Sequence, residues 1–130
     1  EADIVLLGVS RTSKTPTSIY LANRGYKTIN IPLVMDQKVP DDLKLEKNKT
    51  CVVGLVADPE RLADIRRNRV AIMKEKNIKE YTDLNYINEE VDKSKKLFKK
   101  YNWPIIDVTR KSVEETAASI LKIFEIKKNK

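Results

Sequence analysis

The chain of 130 residues contains no histidine. Histidine-based general acid–base catalysis is therefore excluded within it, as are Ser-His-Asp and Cys-His nucleophile pairs. A single cysteine, Cys51, rules out an internal disulfide, and one thiol without histidine does not supply the usual zinc ligands. Cys51 heads an apolar run, so a buried, inert thiol is expected there. No apolar stretch approaches the ~18 residues that span a bilayer. The early apolar run at residues 4–7 is too short for the core of a signal peptide. Internal repeats, low-complexity segments and dividing linkers are also lacking. There is no initiating methionine; the chain opens at Glu1 and enters a strand almost at once, and we expect it to be a piece of something longer.

What is present is oxygen and nitrogen chemistry: carboxylates, hydroxyls, lysines and arginines. The formal charge of +7 favours anionic partners, although Lys127, Lys128 and Lys130 form a terminal run that reads as solvated. The length suggests one domain with a core that needs no staples.

Apolar runs alternate with helical patterns along the chain. Strands are expected at residues 4–7, 27–34 (with Pro32 near its end), 51–56 and 105–108. A helix through Ile19, Tyr20, Leu21 and Ala22 stops at Gly25. The lysine-rich segment 36–49 reads as a loop or short helix. Asp58-Pro59-Glu60 is a helix start, with Leu62, Ile65, Ile72 and Met73 facing inward and an end near Asn77 and Ile78. Asp83 caps a further helix with Ile87, Val91, Phe98 and Tyr101 on one face. Ser112 and Glu115 form a capping box before the stripe Val113, Ala117, Ile120, Leu121 and Phe124. Strands without polar alternation belong to parallel sheets covered by helices. The expected fold is α/β, a P-loop kinase-like three-layer sandwich with a mostly parallel sheet.

One motif carries chemistry. Gly8, Val9, Ser10, Arg11, Thr12, Ser13, Lys14 and Thr15 match G-x-x-x-x-G-K-[ST] at Gly8, Lys14 and Thr15, with Ser13 in place of the second glycine. A loop of small residues lets backbone N–H groups wrap a phosphate, and the helix N-terminus adds its dipole. Lys14 places a charge on the outer phosphates, and Thr15 offers a hydroxyl to Mg²⁺. Ser13 suits the role provided that its φ stays negative, and its hydroxyl then donates to phosphate. Arg11 lies within the loop and is a candidate phosphate ligand. The alternative is a polar β-to-α turn with no ligand.

Asp58 follows the apolar run 52–57, where a second magnesium anchor is expected, yet it also makes an ideal N-cap. Asp36 and Asp107 are fallback candidates. Arg61, Arg66, Arg67 and Arg69 crowd one helix and read either as phosphate clamps or as a solvated face. Tyr81, Tyr86, Tyr101 and Trp103 read as packing residues rather than a base-stacking surface.

The stretch from Gly8 to Ala22 resembles the P-loop segment of the pyruvate, phosphate dikinase regulatory protein family. So do Gly54-Leu55, Asp58-Pro59-Glu60-Arg61-Leu62, Ile65-Arg66, Asn102-Trp103-Pro104, Ile106-Asp107-Val108-Thr109 and the last helix. The resemblance covers essentially the whole chain, and Ser13 is a family trait. It implies that residues 1–130 are a single P-loop phosphotransferase domain, the C-terminal half of a protein about twice as long. It further implies a cytoplasmic bifunctional serine/threonine kinase and phosphorylase. Such an enzyme uses ADP to phosphorylate a threonine of the dikinase and inorganic phosphate to remove it, releasing pyrophosphate. Catalytic roles then fall to Lys14, Asp58 and Arg11, nucleotide binding to residues 8–15, and magnesium to Thr15 and Asp58. A sister branch acts on phosphoenolpyruvate synthase, and a homodimer is admitted for the full-length protein. Rival readings are a small-molecule kinase with the same loop, and a basic nucleic-acid-binding module, which lacks any aromatic–basic interleaving here.

Overall fold

The computed structural model describes residues 3–9, 11–33, 50–70 and 83–128. Asp36, Ile72, Met73, Asn77, Ile78, Tyr81 and the segment 36–49 lie outside the described residues, as do Ser10 and the side chain of Arg69.

Four strands, β1 (Ile4–Gly8), β2 (Thr28–Pro32), β3 (Cys51–Val56) and β4 (Ile105–Asp107), form one parallel sheet in the order β2-β1-β3-β4. β1 and β3 are buried along their whole length, as expected for central parallel strands whose both faces are apolar. β2 is an edge strand, which explains how Pro32 closes it: the residue lacking an N–H sits where only one neighbour asks for a ladder bond. The next amide restores pairing, Leu33 N–H donating to Gly8 O at 2.8 Å.

Helix α1 (Lys14–Asn23) links β1 to β2, and α2 (Pro59–Val70) and α3 (Leu84–Lys100) lie between β3 and β4. Helix α4 (Val113–Lys128) follows β4 and packs against α1. The expected caps are present. Asp58 Oδ2 accepts from Arg61 N–H at 3.2 Å, and Asp83 Oδ1 accepts from Asn85 N–H at 2.8 Å. Ser112 and Glu115 satisfy each other's backbone N–H groups reciprocally, at 3.1 and 3.2 Å. Tyr101 and Trp103 stack at 5.0 Å between centroids, with Trp103 packed on the cluster around Phe98, so this pair is core packing.

Alternation along the strands splits the core. Ile4, Leu6, Val53 and Leu55 share one cluster with Leu21 of α1 and Ala117 and Ile120 of α4. Val5, Leu7, Val52 and Val56 share the other with Phe98 of α3. Gly54 lies in the same alternating row as Val52 and Val56, and the Phe98 ring occupies the space a side chain there would take. The chain leaves β1 towards one edge and β3 towards the other. That divergence opens a crevice at the carboxyl ends of β1 and β3, the usual ligand position in such sheets.

Gly54→Ala is expected to lower stability by about 2 kcal/mol through overpacking against the fully buried Phe98. Urea unfolding at neutral pH checks this; an unchanged midpoint would contradict the close approach.

Candidate functional site

The carboxyl end of β1 runs straight into the motif. Gly8 is required by proximity: a Cβ there would lie 2.6 Å from Thr12 Oγ1 and 2.8 Å from Leu55 O. Thr12 is sealed from solvent, and its hydroxyl donates to Val9 O at 2.8 Å, bracing the loop from inside. Arg11 (φ 70°) and Ser13 (φ 63°) are both left-handed, on either side of Thr12. Such alternation of hand aims successive N–H groups to one side and makes an anion-binding concavity. The condition set for Ser13, a negative φ, is not met. Serine takes the conformation that glycine would adopt freely, at a cost of about 1 kcal/mol. It serves as N-cap of α1 without a capping hydrogen bond from its side chain. Pro16 fits because the first turn of a helix needs no intrahelical N–H there.

Lys14 opens α1 and is almost fully buried, at 7% exposure. Its ammonium folds back over the loop, donating to Val9 O at 2.6 Å and to Thr12 Oγ1 at 3.3 Å. Burial, then the nearby charges of Arg11 and Arg66, pull its pKa down to about 8 from 10.5. Beside it lies a cavity of about 400 Å³ lined by Arg11, Ser13, Lys14, Thr15, Pro16, Asn30, Pro32 and Ile65. The turn is open to a ligand, and two of its lining side chains are cations. Asn30 of β2 donates to Ser18 Oγ at 3.1 Å, and Ser18 Oγ donates to Thr15 O at 2.9 Å, fixing the first turn of α1 to the edge strand. The exposed Thr15 stands on the cavity wall.

The second magnesium candidate lies elsewhere on the same edge of the sheet. Asp58 lines a separate depression of about 450 Å³ with Glu60, Arg61, Asp64, Thr109 and Arg110. It caps α2 through Oδ2, as already described, and its N–H donates to Thr109 Oγ1 at 2.7 Å. Thr109 in turn donates its N–H to Asp107 Oδ1 at 2.9 Å and its hydroxyl to the same oxygen. Burial pushes the Asp107 carboxyl up, but the two Thr109 bonds together with Lys95 and Lys111 outweigh it and hold its pKa below the ordinary value. Among the described residues no group of three or more acidic, histidine or cysteine side chains converges as a metal cage. The donor set at the cavity suits a magnesium ion held by one hydroxyl and phosphate oxygens, since that ion keeps several waters.

The arginine-rich helix divides. Arg61 and Arg67 are exposed, Arg67 pairing with Asp64 at 3.1 Å on the surface. Arg66 is different: it is buried and paired to Glu90 of α3 at 2.6 Å. The reading of a solvated face fails for this residue. Its signal was its spacing, four residues after the inward-facing Leu62. Asn30 was missed as a lining residue because one polar position in an edge strand looks merely solvated.

The model of a family described as kinase/pyrophosphorylase matches residues 1–121. A protein of Pelagibacter ubique named a pyruvate, phosphate dikinase regulatory protein is 64% identical over 99% of this chain and 47% of its own length. One of the same name from Erythrobacter litoralis is 56% identical over 95% of this chain and 44% of its own. The chain thus spans about half the length of these relatives. Among solved structures, a de novo designed Rossmann-fold protein is similar at a TM-score of 0.46 and 18% identity, covering 94% of this chain and 97% of that one.

Two outcomes follow from the loop. Ser13→Gly should raise stability by about 1 kcal/mol by releasing the left-handed serine; thermal unfolding reads this, and a loss would contradict the observed backbone. The lowered Lys14 pKa sets a pH dependence. Between about 8 and 10.5 the unfolded chain holds a proton on Lys14 that the folded chain does not, so this group makes stability rise with pH across that window. Urea midpoints at pH 8 and 10 should show a rise that Lys14→Met reduces.

Proposed function

The chain belongs to the kinase/pyrophosphorylase family, and from that premise we propose that it is the phosphate-gripping half of a cytoplasmic enzyme that regulates pyruvate, phosphate dikinase by reversible threonine phosphorylation. In one direction the β-phosphoryl of ADP passes to a threonine hydroxyl of the dikinase, leaving AMP. In the other, inorganic phosphate takes the phosphoryl from phosphothreonine, restoring the hydroxyl and releasing pyrophosphate. The observation that carries this reading is the cationic cavity at the end of β1, where Lys14 and Arg11 line a space beside two left-handed residues. The names of the relatives support the choice of protein substrate.

The loop's backbone N–H groups hold the diphosphate, with the α1 dipole behind them. Lys14 exchanges the Val9 carbonyl for a phosphate oxygen, a move that needs only side-chain rotation and gives the buried ammonium an anionic partner. Arg11, which also lines the cavity, neutralises charge on the transferring group. Magnesium, held by Thr15 and by phosphate oxygens, would supply additional charge neutralisation there. Asp58, in its own depression, has given Oδ2 to Arg61 N–H, and Oδ1 remains for orienting the acceptor hydroxyl. Positioning and fixed charge, rather than covalent chemistry, provide the acceleration.

Calorimetry with ADP and with ATP, each with Mg²⁺, tests the reading. ADP should bind more tightly than ATP, and Lys14→Ala should weaken ADP by about 2–3 kcal/mol, roughly thirty- to a hundred-and-fiftyfold. Equal affinity for both nucleotides, or unaltered binding by the variant, would overturn it.

A further inference from the structure

Asn30 stands in the middle of the edge strand β2 and is half-buried. It alternates with Ile31, which packs in the cluster on the far face of the sheet, so Asn30 and Pro32 both face α1. Asparagine is depleted in strands, so its presence asks for a reason. One reason is the tether to α1, in which Asn30 Nδ2 donates to Ser18 Oγ at 3.1 Å. Ser18 donates its own hydrogen to Thr15 O, so the amide must meet it through N–H, and this fixes which way the Asn30 side chain is turned. The tether uses one N–H. Among the described residues, Oδ1 and the second N–H of Asn30 make no hydrogen bond.

Asn30 also lines the Lys14 cavity. Its Oδ1 is the one amide or carboxylate oxygen among the described lining side chains, and the two cations there only donate. Such an oxygen is a poor neighbour for phosphate, which is itself rich in acceptors and negatively charged. It suits a part of the ligand that has a hydrogen to give. Pro16, Pro32 and Ile65, which line the same cavity, offer apolar surface that does nothing for an anion. At about 400 Å³ the cavity has the size of a small-molecule pocket rather than of a single-anion site. A bare phosphate chain would answer the cations and leave the amide and the apolar lining unused. A phosphate chain carried on a nucleoside would use all of them. By analogy, doubly wound sheets that bind dinucleotides meet the ribose 2′-hydroxyl with a side chain about 20 residues after the first loop glycine. Asn30 lies at a like distance after Gly8, on the strand beside β1.

We propose that Asn30 is a specificity-determining residue of the Lys14 cavity, whose free amide groups hydrogen-bond a sugar hydroxyl of the nucleoside that carries the phosphate chain. This rests on the reading of that cavity as a phosphate site.

The test separates the sugar from the phosphates. ADP, 2′,3′-dideoxy-ADP and inorganic pyrophosphate, each with Mg²⁺, are titrated calorimetrically into the wild-type chain, Asn30→Ala and Ser18→Ala, with thermal melts alongside. Asn30→Ala should weaken ADP about three- to tenfold and leave pyrophosphate within about twofold. Ser18→Ala, which cuts the tether and keeps the amide, should preserve the wild-type ratio of the two affinities. Equal losses for ADP and pyrophosphate in Asn30→Ala, or a ratio shifted as far in Ser18→Ala, overturn the proposal and show a tether alone. The wild-type chain should itself bind dideoxy-ADP about three- to tenfold more weakly than ADP. That comparison decides even if Asn30→Ala does not fold: equal affinity for the two nucleotides overturns the sugar contact. A wild-type chain that binds pyrophosphate but not ADP overturns the proposal and leaves the phosphate reading standing. A chain that binds neither overturns the phosphate reading and this proposal with it.

Discussion

The site depends on a lysine ammonium that is largely buried and that, among the described residues, is held by a backbone carbonyl and a hydroxyl. Lys14 is buried, the charges of Arg11 and Arg66 disfavour its proton, and a backbone carbonyl, that of Val9, is its shortest hydrogen-bond acceptor, at 2.6 Å. A cation so placed is destabilised relative to solvent, which is the meaning of its lowered pKa. The chain accepts that cost where the first strand ends. It accepts a second at Ser13, where a residue with a Cβ stands in left-handed backbone. Both costs fall on the same few residues, and an anionic ligand would relieve the first. A loop serving only to connect a strand to a helix would need neither.

The sheet supplies the rigidity that such a loop needs. β1 is flanked by β2 and β3, so the point from which the loop departs is fixed from both sides. The loop closes over its own interior through Thr12, and Gly8 permits the approach that this closure demands. α1 is secured in turn by the line from Asn30 through Ser18 to the Thr15 carbonyl.

Much of this could be read in the residues. The parallel sheet followed from runs that were apolar on both faces, and the three caps at Asp58, Asp83 and Ser112 followed from local chemistry that acts within one turn of chain. The loop was legible for the same reason: its closure rests on residue types at fixed short spacing. What escaped were properties set by distant partners. The backbone hand of Ser13 is imposed by the loop's closure and not by serine's own preference. The burial of Arg66 depends on Glu90, 24 positions away on another helix. The space occupied by Phe98 explains Gly54 only once α3 is laid over β3. The placement of Asp58 in its own depression likewise reflects how β3 and β4 end side by side.

The Thr109 relay has a mechanical meaning. One hydroxyl accepts from the first amide of the α2 cap and donates to the carboxylate that ends β4, so the two elements are bolted at a shared pin. The start of α2 and the end of β4 thus hold the rim around Asp58 at a fixed spacing, so a change at Thr109 would loosen both elements at once.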